Sequence, residues 1–194
     1  MTARQRFRAD VARYSVLIDR PMSRFRRVLV VLTSEEIWAM AVFRFGQYVY
    51  YDANPVTRWV LRMPCLAAAR LTGLMVGIHL FADTRIGPGF CIVHYGGIWI
   101  SPLASLGANC SIGPGVVIGV AGQTRNKGPV LGDRVWVGPG AIITGDVKIG
   151  SGAVIAANSL VTSDVPENAV VIGVPARVIS YSGSEHLIRI PTAD

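Results

Sequence analysis

Residues 131–165 read LGDRVWVGPGAIITGDVKIGSGAVIAANSLVTSDV, with an aliphatic side chain at every sixth position: Leu131, Val137, Ile143, Ile149, Ile155 and Val161. The residue after each is small or compact (Gly132, Gly138, Thr144, Gly150, Ala156, Thr162), and four residues after each stands Val135, Ala141, Val147, Ala153, Ser159 or Val165. A period of six matches neither an amphipathic helix nor an alternating flat strand. It matches a coil of three short strands per turn, in which residues eighteen apart stack. Leu131 is therefore expected beside Ile149, Val137 beside Ile155, and Ile143 beside Val161. The aliphatics point inward as a continuous column, and the small residues let the chain turn at the corners.

The same period extends upstream, through Leu80, Ile86, Ile92 and Ile98, and, after a shift of two residues, through Ile100, Leu106, Ile112 and Ile118. Between Ile118 and Leu131 the segment GVAGQTRNKGPV replaces the next strand. It is polar, carries Arg125 and Lys127, and is expected to project as a loop over 119–130. No Asp, Glu, Lys or Arg occurs between Arg85 and Arg125. Glycine and proline recur throughout that stretch, which excludes a membrane-spanning helix there.

The 194 residues hold 21 glycines and 51% hydrophobic residues, too apolar for a disordered chain and too glycine-rich for a helical bundle. Residues 1–77 contain twelve Arg against five acids, so they hold the whole net charge of +7. Within them, SEEIWAMAVFRFGQYVYY (34–51) opens on a capping serine and two acids, as a helix does, and a second helix is expected from Pro55, divided or kinked at Pro64. The reading is a basic, mostly helical region at 1–77, a β-helix at 78–179 and a tail at 180–194.

The arginine excess suits peripheral contact with an anionic membrane face or a membrane-bound assembly. No nucleic-acid motif accompanies it. The N-terminus lacks a secretory signal pattern, so a cytoplasmic protein is expected. Cys65, Cys91 and Cys110 form no CxxC pair and read as reduced, buried thiols.

The segments GIHLFADTRIGPGFCIVHYGG, GANCSIGPGVVIG and the run from Leu131 to GVPARVI at 173–179 resemble the hexapeptide-repeat acyltransferases, specifically their serine acetyltransferase-like branch. The resemblance covers about residues 78–179. It implies a left-handed parallel β-helix, a homotrimer with active sites between subunits, and acetyl-CoA as donor. By the same resemblance His94 is the catalytic base, and Gly119 supplies a backbone N–H to the oxyanion. Gly119, Gly122, Pro139, Ala157 and Arg177 contact the acetyl-CoA, and His79, Tyr95 and Lys127 contact the acceptor.

Two positions depart from the serine-specific pattern. Val93 stands where an Asp precedes the base, and Lys127–Gly128 stands where Arg-His precedes the proline. These losses point to an acceptor hydroxyl on a sugar or exopolysaccharide intermediate, with serine acetylation in cysteine biosynthesis and a non-catalytic trimeric scaffold as alternatives. Imidazole, with an ordinary pKa of ~6.5, suits proton removal from an alcohol near neutral pH. The only other histidines are His79 and His186. Their spacing from His94 supports no three-histidine zinc site, and no metal is expected.

Overall fold

The structure is a computed structural model that describes residues 1–17, 33–122 and 127–191. Arg20, Arg24, Arg26, Arg27 and Arg125 lie outside the described residues. Among the described residues the N-terminal helices are α1 (Ala3–Leu17), α2 (Glu35–Gln47) and α3 (Pro55–Val76), with a π-helical turn at Tyr48–Asp52 between the last two. Asn54 caps α3, its side chain accepting the Thr57 N–H at 2.9 Å; Pro55 occupies the first turn, and Gly77 ends the helix with φ of 68°. Contrary to expectation, Pro64 does not divide α3. Pro64 and Val60, whose carbonyl loses its intrahelical donor, are both exposed, and the opposite side of the helix is held by buried Cys65 and Gly73.

From Ile78 onward short strands wind into three parallel sheets. One contains Ile78–Leu80, Ile98–Ile100, Val117–Gly119, Ile142–Thr144 and Leu160–Val161. The other two are built from the intervening strands, and the antiparallel pair Val170–Gly173 and Ala176–Ser180 closes the C-terminal end. Ile149 is the register partner of Leu131, Ile155 of Val137, and Val161 of Ile143, each as the period of six requires. This is the hexapeptide β-helix expected above, with a helical N-terminal region. Each enclosed Ile or Val contributes roughly 1.5–3 kcal/mol. Ile92, Ile100, Ile112, Ile118, Ile143 and Ile155 are all fully enclosed.

The first coil corrects one detail. Leu80 pairs with Ile100, not Ile98, and it is Ile78, partner of Ile98, that is buried. Ile86 and Ile92 pair with Leu106 and Ile112, whereas Ile100 pairs with Ile118 only eighteen positions on. The two additional residues therefore fall between Ile92 and Ile100, at the corner that carries His94. Corners elsewhere are tight: a Cβ on Gly87 would lie 2.6 Å from the Gly107 backbone.

The open end of the first coil is covered by α2, whose Met40 and Phe43 join the core. Polar groups fix α1 and α2 there. Arg44 Nε and Nη2 donate to the Asp10 carboxylate at 2.7 and 3.1 Å, and its guanidinium also donates to the carbonyls of Ile86 and Gly87. Arg13 donates to the Gly89 and Cys110 carbonyls and the Ser111 hydroxyl. These arginines are buried. Part of the basic excess therefore caps the β-helix instead of facing solvent or membrane.

Candidate functional site

The corner between Ile92 and Ile98 is widened by Gly96 and Gly97, with φ of 108° and 66°. A Cβ on Gly77, at the end of α3, would come within 3.0 Å of Gly97 N, so the helix terminus abuts this corner. His94 and Tyr95 are exposed upon it, and the imidazole has no hydrogen-bond partner among the described residues. The strand leading in is held from α1: the Tyr14 hydroxyl donates to the Ile92 carbonyl at 2.5 Å and accepts the Ile92 N–H at 3.0 Å. Burial pushes the Tyr14 phenol well above its ordinary pKa, which keeps it neutral and able to do both. Tyr14→Phe leaves a buried N–H and C=O unpaired, and urea titration is expected to show a loss of about 1–3 kcal/mol.

Successive corners stack along this edge of the β-helix. Gly115 N–H donates to the Gly96 carbonyl, Gly140 N–H to Pro114, and Asn158 N–H to Pro139, each at 2.8 Å. Pro139 and Ala157 are consecutive exposed residues on the edge. Next comes Gly173, whose N–H donates to Ser159 Oγ at 3.3 Å, and Arg177 pairs with neighbouring Ile172 in the closing hairpin. The exposed Arg177 guanidinium donates to the Ala176 carbonyl at 2.9 Å. His94, Pro139, Ala157 and Arg177 thus fall on one edge, an alignment that only the three-sided winding produces.

Gly119 and Gly122 lie elsewhere. Gly119 ends the strand Val117–Gly119, paired with Thr144, and so opens the 119–130 loop at the next corner round the coil. Among the described residues nothing lies within 4 Å of a Cβ built on either glycine, so no described neighbour requires glycine at either position. Lys127 forms an exposed ion pair with Asp146 at 3.2 Å, worth little in water.

His79 is half-buried under α3. Its ring lies 5.1 Å from that of Trp99, and a Cβ on Gly73 would sit 2.9 Å from the imidazole. With Cys65, Leu66, Leu74 and Phe81 it lines an apolar cleft of about 530 Å³.

Burial pushes the Cys91 and Cys110 thiols up to about 11 and raises Cys65, so all three are protonated and unreactive near neutral pH. No cluster of three potential metal ligands occurs among the described residues. Tyr14, Asp10, Arg13 and Arg44 were not singled out by the sequence. Their one signal is the interruption of helical apolar patterns by charge, in RADVARY and in AVFRFG.

The family model for bacterial transferase hexapeptide, six repeats, matches residues 128–163. A serine acetyltransferase of Synechococcus elongatus is 31% identical over 178 residues, which is 91% of this chain and 70% of that protein. Other curated serine acetyltransferases match over 38–56% of their own length. Among solved structures, Neisseria gonorrhoeae serine acetyltransferase in complex with serine superimposes with a TM-score of 0.76 at 28% identity, covering 92% of this chain and 69% of that one. Brucella abortus serine acetyltransferase in complex with coenzyme A gives 0.76 at 26% identity, covering 91% and 67%. These matches overturn the expectation of a sugar or exopolysaccharide acceptor. That expectation rested on two side chains, Val93 and Gly128, whereas the likeness to serine acetyltransferases spans the helices as well as the coils.

Proposed function

Because this chain belongs to the serine acetyltransferase family, whose members are acetyl-CoA-dependent acyltransferases, we propose that it transfers the acetyl group of acetyl-CoA to the hydroxyl of L-serine. The observation that carries the reading is the single edge on which His94, Pro139, Ala157 and Arg177 align, inside a fold shared over nearly the whole chain.

His94 takes the proton as the serine oxygen attacks the thioester carbonyl, then returns it to the departing thiolate. The acetyl carbon gains a C–O bond and loses its C–S bond. The charge that develops on the carbonyl oxygen is met by a backbone N–H just beyond Gly119, whose own N–H is turned into the pairing with the strand of Thr144. The exposed edge at Pro139 and Ala157 offers a path for the pantetheine arm, and Arg177 is a cation for its phosphates.

The His94 corner precedes the strand Ile98–Ile100 and the 119–130 loop follows its paired neighbour Val117–Gly119 one coil on, so the two lie on opposite sides of the sheet that these strands share. A homotrimer would bring the corner of one subunit against the loop of its neighbour, so we assign the complete site to the subunit interface, in a cytoplasmic enzyme. Tyr95 and Lys127 then face the acceptor, and Lys127 supplies the cation opposite the serine carboxylate. His79, packed against Gly73 and Trp99, is left a structural role.

The test is release of free CoA from acetyl-CoA with L-serine added. Turnover that saturates with L-serine and is absent with glycerol or glucose is expected. Turnover with the sugar and none with serine would overturn the reading.

A further inference from the structure

The 22 residues of α3 form a rod about 33 Å long with two dissimilar sides. One side packs inward through Cys65 and Gly73. The other exposes Val56, Trp59 (81% exposed), Val60, Met63, Leu71 and Leu74 (82% exposed), which recur at helical spacing as one stripe from end to end. A continuous apolar stripe of this length, left in water, marks a binding surface.

The charge on the helix selects the occupant. No Asp or Glu occurs between Pro55 and Val76, whereas Arg58, Arg62 and Arg70 do, and the chain as a whole carries +7. Arg58 donates to the carbonyls of Val49 and Ala53, but Arg62 and Arg70 form no ion pair with any of the described residues. Arg70 borders the stripe, where its stem can lie along apolar surface while its head reaches phosphate. A second copy apposed through this face would set arginines against arginines with no carboxylate between them. Anionic lipid supplies both the apolar phase and the opposite charge.

We propose that the outer face of α3 binds the surface of an anionic bilayer, with the helix lying in the headgroup plane. By length and composition α3 could cross a membrane. Its attachment excludes that, because the His79 ring lies against Gly73, and Gly77 leads directly into the strand Ile78–Leu80. The helix is bound to the fold along its inner side. The proposal does not rest on the identity of the acceptor.

Flotation of the full chain with phosphatidylcholine vesicles, with and without phosphatidylglycerol, tests it. Binding only to the anionic vesicles, weakened by salt, is expected. Arg70→Gln should weaken it about fivefold. Joint replacement Trp59→Asp and Met63→Asp, both at exposed positions of the stripe, should abolish it and leave CoA release unchanged. Failure of the unaltered chain to float overturns the proposal, as does flotation indifferent to the double replacement. A fall in particle mass by light scattering for the double variant, with no flotation of the unaltered chain, would assign the face to a second copy instead.

Discussion

His94→Ala is expected to lower kcat for L-serine acetylation by about 10²–10⁴-fold while the KM for acetyl-CoA stays close to its original value. The imidazole is exposed at the widened corner, with no hydrogen-bond partner among the described residues, so its removal opens no cavity and orphans no buried group. The melting temperature should therefore not change. This combination separates a base from a fold-stabilising histidine. A kcat within threefold of the unaltered enzyme (about 0.7 kcal/mol) would remove His94 from the chemistry. His79→Ala is the contrasting case: its ring packs against Trp99 and Gly73, so it should cost stability and leave kcat largely intact.

The β-helix was legible in residues 131–165 because each turn repeats the same demand, an inward aliphatic and a compact corner, and every repeat reinforces the register of the others. The first coil was less legible. Ile78, Leu80, Ile98 and Ile100 all fit a spacing of six somewhere, and only the backbone pairing decides which of them stack. Pro64 misled for a different reason: a local rule about helix breaking takes no account of which side faces solvent. The alignment of Pro139, Ala157 and Arg177 with His94 followed from family resemblance, but its cause, the stacking of corners along one edge, needed the three-dimensional winding. The acceptor was not legible at the two substituted positions, Val93 and Gly128. A substrate clamp can be rebuilt from elsewhere in an interface, and single positions do not report that.

The same limit hid the polar cap beneath α1, and the stability of the chain depends on it. Arg44→Met should lower the unfolding free energy by about 3–5 kcal/mol, because it leaves the fully buried Asp10 carboxylate without its partner and the Ile86 and Gly87 carbonyls without a donor. Burial already pushes the Asp10 carboxyl above its ordinary range, and Arg44 and the Phe90 N–H oppose that. Removing Arg44 raises the folded-state pKa further. A carboxyl whose folded pKa exceeds its unfolded one favours the fold below the unfolded value and loses that contribution as pH rises through the folded one. The deficit of Arg44→Met should therefore be large at neutral pH and shrink on acidification, as Asp10 takes up a proton instead of remaining an unpaired buried anion. Adding Asp10→Leu removes the stranded charge and should restore part of the loss, leaving the unpaired Ile86 and Gly87 carbonyls and the Phe90 N–H as the remainder. Urea titrations of the two variants across this pH range measure both effects, and a deficit that is independent of pH would mean that Asp10 is not the group left unpaired.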